Sequence, residues 1–190
     1  IRDRIGPMME AARMIAKSGA KPKRTILFIG FAGEEFGLLG AQAWVKAHKD
    51  KLPKIANLFN RDGGPEPPVG ISVPQAMYDD FVKISEPIQK IRPDYPFEVK
   101  VREPRKRPTR MGGTDASVFA IEGVPTLGFT TEDFKGYDFD YGEIWHTERD
   151  LYTKNIPEYQ EHTATVTAII ALGVANLDKQ LSREGLYTEE

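Results

Sequence analysis

The sequence predicts a layered α/β domain with a largely parallel sheet, and three observations lead there. Strand-like and helix-like segments alternate along the chain, which is the pattern of such folds. Residues 25–31 (TILFIGF) form an unbroken apolar run, as in a strand covered on both faces. No linker-like or low-complexity tract divides the 190 residues, so residues 1–190 are read as a single domain.

The elements follow in order. Residues 5–17 place Ile5, Met8, Met9, Ala12, Ile15 and Ala16 on one helical face, and Gly19 and Pro22 stop the helix. Residues 25–31 are the predicted central strand. After AGEE, helical spacing resumes through Phe36, Leu39, Trp44 and Val45 until the KDKLPK turn. Residues 55–60 (IANLFN) read as a second strand that ends in the turn-prone RDGGPEPP. Residues 71–73 and 97–101 are short strands, and between them residues 77–90 form a helix with Phe81, Val82, Ile84 and Ile88 inward. A short helix at 117–121, a strand at 124–129 and an amphipathic helix from 157 to about 181 complete the chain. The last helix carries its stripe on Tyr159, His162, Val166, Ile169, Ile170, Gly173 and Leu177.

Composition narrows the function. With 26 Lys and Arg against 28 Asp and Glu the formal net charge is −2, which disfavours a nucleic-acid or anionic-membrane binder. There are no cysteines, which excludes disulfides, thiolate catalysis and Cys-ligated metals, so any metal must be held by His, Asp and Glu. No apolar run approaches the roughly 20 residues of a membrane span. The opening IRDRIGPMME lacks the apolar core of a signal peptide.

Chemistry-bearing residues gather at the C-terminal ends of the predicted strands, where open α/β sheets place their sites. The first predicted strand runs into Glu34 and Glu35, the second into Asp62, and an aromatic, acidic loop from 137 to 145 delivers His146. Two adjacent carboxylates after a buried strand are costly near apolar surroundings unless a cation or hydrogen bonds compensate them, and a metal would supply that compensation. Consecutive residues leaving a strand point in different directions, so one Glu can ligate a metal while the other serves as a base. Asp62 and His146 would complete an oxygen and nitrogen set suited to zinc.

Plainer roles exist for each group. Glu34 and Glu35 also suit a helix N-terminus, Asp62 a turn before Gly63 and Gly64, and His146 a cap. His48 suits a solvated helix end, and His162 a buried core histidine. Arg102, Arg105, Lys106, Arg107 and Arg110, interrupted by Pro104 and Pro108, suit an exposed loop.

The segments GPMMEAARMIA, KPKRTILFIGFAGEEFGLLGA, NLFNRDGG, GGTDASVFAIEGVPTLGF and YGEIWHTERDLYTKN together resemble, in order, those of the co-catalytic zinc aminopeptidases. That family also holds glutaminyl cyclases and carboxypeptidase-like members. The resemblance implies a three-layer α/β/α sandwich with a mixed, mainly parallel sheet, lacking its N-terminal strands. It also implies Glu34 as general base, Glu35, Asp62 and His146 as zinc ligands, Tyr141 as an oxyanion donor and Asp115 as a group ordering the site wall. The family binds two zincs through five ligands, and the first two would precede Ile1. This chain is therefore expected to hold fewer zincs or none, to be inactive where those upstream ligands are missing, and to expose surface through which it self-associates. The implied activity is hydrolysis of a peptide substrate, most simply as an aminopeptidase. Cyclisation of N-terminal glutamine and a non-catalytic binding role are the alternatives. Export to a secreted or periplasmic location is the family's expectation.

Overall fold

The computed structural model describes residues 2–188, and side chains from residue 5 onward. Six α-helices and three strands follow one another among these residues: α1 (Arg2–Lys17), α2 (Leu39–Ala47), β1 (Pro68–Val73), α3 (Tyr78–Ile91), β2 (Glu98–Val101), α4 (Ala116–Ile121), β3 (Phe129–Thr131), α5 (Tyr141–Ile144) and α6 (Pro157–Asn176).

The sheet is mixed and ordered β2-β1-β3. Strand β1 pairs in parallel with β2, Ile71 opposite Val99 and Val73 opposite Val101, and antiparallel with β3, Ile71 opposite Phe129. Helix α3 supplies the crossover between the parallel strands, as a βαβ unit requires. Gly70 allows the close pairing, because a Cβ there would run into the backbone carbonyl of Glu98.

The main core joins β1, α3 and α6 through Ile71, Val73, Phe81, Ile84, Ile88, Val166, Ile170 and Val174. Burying each such side chain contributes about 1.5–3 kcal/mol. A second cluster binds α2 to α4 through Ala41, Val45, Val118 and Phe119, capped by Leu38, Leu52 and Val124.

Several elements depart from expectation. Residues 25–31 form no strand, and among the described residues none of their backbone groups enters a ladder. Leu27 and Ile29 remain exposed at 64% and 44%. Apolarity suits a segment to a sheet, but a strand exists only where a neighbour pairs with it. Residues 55–60 also lie outside any strand. They are tied instead to the stretch before β3: Leu58 N–H donates to Pro125 O at 2.9 Å, and the Asn57 side chain both accepts from Leu127 N–H and donates to Leu127 O. Of residues 124–129, only Phe129 reaches the sheet.

The helical faces also shift. In α1 the buried positions are Pro7 and Ala11, while Ile5, Met9 and Ala16 face solvent. Phe36 and Leu39 are exposed, because a tight turn precedes α2 and the helix buries Ala41 and Val45. Val82 is exposed on α3, where Phe81, Ile84 and Ile88 make the inner face. Helix α6 stops at Asn176 and is buried on most of its circumference, including Thr163, Thr165 and Thr167. Thr163 and Thr165 donate their hydroxyls to Tyr159 O and Glu161 O within the helix, which satisfies them away from water.

Candidate metal centre

Glu34 and Glu35 sit on the turn that leads into α2. Gly37 and Leu38 N–H both donate to Glu34 O, at 3.0 and 2.8 Å, and Gly40 N–H donates to Ala32 O at 2.8 Å. A Cβ on Gly40 would lie 2.7 Å from the Ala32 backbone, so only glycine lets the helix start so close to the chain that feeds it. Leu38 adopts a left-handed φ of 60°, and on the turn before it Glu34 is half-buried and Glu35 exposed.

His146 follows α5 and also has a left-handed backbone, with φ 56°. Its neighbourhood is knotted locally: Asp140 caps Gly142 N–H at 2.8 Å, Thr147 Oγ1 donates to Glu143 O at 2.7 Å, and Lys154 Nζ holds Glu143 Oε2 at 2.9 Å. This presents the imidazole to Glu35, with His146 Nε2 3.3 Å from Glu35 Oε2. Both side chains remain more than half exposed, at 55% and 57%. They line an open cleft of about 450 Å³ with Tyr141, Trp145, Thr147 and Asp150.

Asp62 lies in the turn after residues 55–60, where Arg61 reaches over to Gly64 O and Glu66 O. The turn packs beneath the loop carrying Tyr141: a Cβ on Gly64 would stand 2.8 Å from the Phe139 ring and 3.0 Å from the Tyr141 ring. Asp115, at the start of α4, is buried, and its Oδ1 has no hydrogen-bond partner. Burial, reinforced by the negative charge of nearby Asp62, pushes the Asp115 carboxyl above the usual carboxylate range.

Glu35 thus meets His146, Asp62 acts on Asp115, and Tyr141 packs over the Asp62 turn. The donor chemistry of one imidazole with several carboxylates suits zinc, and a buried carboxylate oxygen without a partner beside a second carboxylate is the environment a cation relieves. Among the described residues, no three His, Asp or Glu side chains gather about one point. Glu35 and His146 are in contact, and Asp62 lies in the turn beneath Tyr141.

The other histidines have structural surroundings. His48 is stacked on Trp44 at 4.3 Å, rather than simply solvated, and its Nδ1 is 2.8 Å from Trp44 O. His162 is fully buried, and its Nε2 donates to Pro68 O at 3.0 Å. The basic loop is exposed but pinned, with Arg107 donating to Ile121 O and Arg102 to Leu186 O. Trp145 and Asp150 also line the cleft, and in the sequence the WHTERD run is the signal that carries both.

Fold and site define an α/β domain with a carboxylate and imidazole cleft beside the turn that opens α2. The sequence pattern of Peptidase family M28 matches residues 5–170, and the chain belongs to that family. Carboxypeptidase Q of Mus musculus is 24% identical over 179 residues, covering 92% of this chain and 34% of that protein. The chain thus spans about a third of the length of this curated relative. A probable zinc metalloprotease of Pyrenophora tritici-repentis is 46% identical over 58 residues, covering 30% of this chain and 13% of that protein. Among solved structures, a Peptidase M28 precursor from Shewanella amazonensis superposes with a TM-score of 0.73 at 25% identity, covering 95% of this chain and 38% of that one. An aminopeptidase from an Aneurinibacillus strain shares the fold, with a TM-score of 0.60 at 18% identity over 94% of this chain and 39% of that one.

Proposed function

We propose that this chain is the catalytic part of a zinc-dependent exopeptidase, acting most simply as an aminopeptidase on peptide substrates. The observation that carries the proposal is the contact between Glu35 and His146 beside Glu34. Family membership supports hydrolysis, and the name of the Pyrenophora relative supports zinc. Glu35, His146 and Asp62 would hold the metal. When bound, zinc would supply a Lewis acid that makes water acidic and polarises the scissile carbonyl.

The chain's own groups carry the proton. Glu34 is the general base: its carboxylate takes a proton from the attacking water and later returns it to the leaving amine, so the protons balance across the cycle. Tyr141 donates a hydrogen bond to the oxygen that becomes negative during attack. Asp115 orders the wall beside Asp62. A secreted or periplasmic location belongs to the same proposal, and one matched structure is described as a precursor. The exposed Leu27, Phe28 and Ile29 support self-association, which sedimentation at rising concentration reads directly.

A peptide beginning with glutamine tests the activity. Free glutamine as product, lost in Glu34→Ala, supports the proposal. A cyclised peptide would replace it with acyl transfer on the same scaffold, and equal turnover by the Glu34→Ala variant would remove Glu34 from the mechanism.

A further inference from the structure

The acidic, aromatic loop before His146 is held by a device remote from the cleft. Tyr159, on the first turn of α6, is fully buried. Its hydroxyl donates to Asp133 Oδ1 at 2.6 Å and accepts from Lys135 N–H at 3.0 Å. The Asp133 carboxylate then accepts Tyr137 N–H on Oδ1 at 3.1 Å and Phe139 N–H on Oδ2 at 3.3 Å. One carboxylate therefore gathers a buried phenol and two backbone amides of the loop, and hydrogen bonds to a charged acceptor are about twice as strong as neutral ones. Gly136 N–H closes the turn on Asp133 O at 3.1 Å. Gly136 and Asp138 take left-handed φ values of 70° and 56°, so the chain emerges in one direction only.

That direction matters for the cleft. Phe139 and Tyr141 leave the loop with their rings against Gly64, two residues from Asp62. From these observations we infer that Tyr159 and Asp133 are positioning residues, which fix the loop bearing Tyr141 and His146 against the Asp62 turn. The inference rests on the roles given to Tyr141, His146 and Asp62 under the proposed function. Tyr159 acts from within the core: its ring stacks on Phe134 at 6.2 Å and meets Tyr137 edge-on at 5.2 Å. Removing the hydroxyl alone leaves those ring contacts in place, so the clamp can be released without opening the core.

The test compares the wild-type chain with Tyr159→Phe and Asp133→Asn. Tyr187→Phe is the matched control, because it removes a half-buried hydroxyl that reaches Ala120 O and Val124 O outside the loop. Amide hydrogen exchange is read across residues 133–146, and zinc affinity is read by competition with a chromophoric chelator. Tyr159→Phe and Asp133→Asn should speed exchange at Tyr137 and Phe139 at least about tenfold and weaken zinc binding by about the same factor, the scale of groups that orient metal ligands. Protection in α3 and α6 should persist, and Tyr187→Phe should leave loop and zinc unchanged. Unchanged loop exchange in both clamp variants would overturn the inference, as would a freed loop with undiminished zinc affinity. A wild-type chain without zinc affinity would count against the proposed function, and loop exchange would then decide the inference by itself.

Discussion

At the scale of single residues, His162 shows how burial sets chemistry. The imidazole is wholly inside, stacked on Tyr95 at 3.9 Å, with Nε2 bonded to Pro68 O and Nδ1 without a partner. Burial is the main cause that pushes its pKa down from 6.5 to about 4; the facing charges are Arg92, Asp94 and Lys135. The folded state therefore favours the neutral ring, and the unfolded state takes the proton first as pH falls. The stability that His162 contributes is present above pH 6.5 and is lost between 6.5 and about 4. The loss amounts to roughly 3 kcal/mol at about 1.4 kcal/mol per unit. Urea unfolding at a series of pH values should show this slope in the wild type and lose it in His162→Gln. An equal slope in the variant would assign the effect to other groups. The sequence marks His162 as a core residue from its place on the α6 stripe, but its unpaired nitrogen depends on what surrounds it and is not legible there.

At the scale of elements, α3 and α6 meet through Gly173. A Cβ there would overlap the Ile84 side chain. Alanine is the better helix former by about 1 kcal/mol, yet overpacking a full core costs about 1–3 kcal/mol. Gly173→Ala should therefore lower the unfolding midpoint in denaturant. A raised midpoint would mean that the two helices can part without cost. Helix periodicity made α3 and the inner stripe of α6 readable, because the 3.6-residue pattern is local to each segment. Residues 25–31 depart from the predicted strand for the opposite reason: seven apolar or small residues show an appetite for burial, but a ladder requires a partner strand that the pattern cannot name. Residues 55–60 repeat the lesson, since the Asn57 side chain stands in for a ladder bond to Leu127.

At the scale of the whole molecule, three distant segments are folded into one region. Glu35 and His146, 111 positions apart, touch; Asp62 lies in the next turn; and the loop from Asp133 to Tyr141 bridges them through its clamp to α6. The types of residue and their order were legible from the paired glutamates and WHTERD. The separation of the Glu35–His146 contact from the Asp62–Asp115 pair was not, because it is set by the α2 turn, α4 and the loop together.

The most direct measurement is a zinc titration of the wild-type chain beside Glu35→Ala and Glu34→Ala, with bound metal read by elemental analysis after removal of free ion. If Glu35 and His146 hold the metal and Glu34 handles the proton, Glu34→Ala keeps the wild-type zinc content and Glu35→Ala loses affinity by about tenfold or more, equivalent to about 1.4 kcal/mol. Wild-type zinc affinity in Glu35→Ala, or loss of zinc in Glu34→Ala alone, would contradict the assignment.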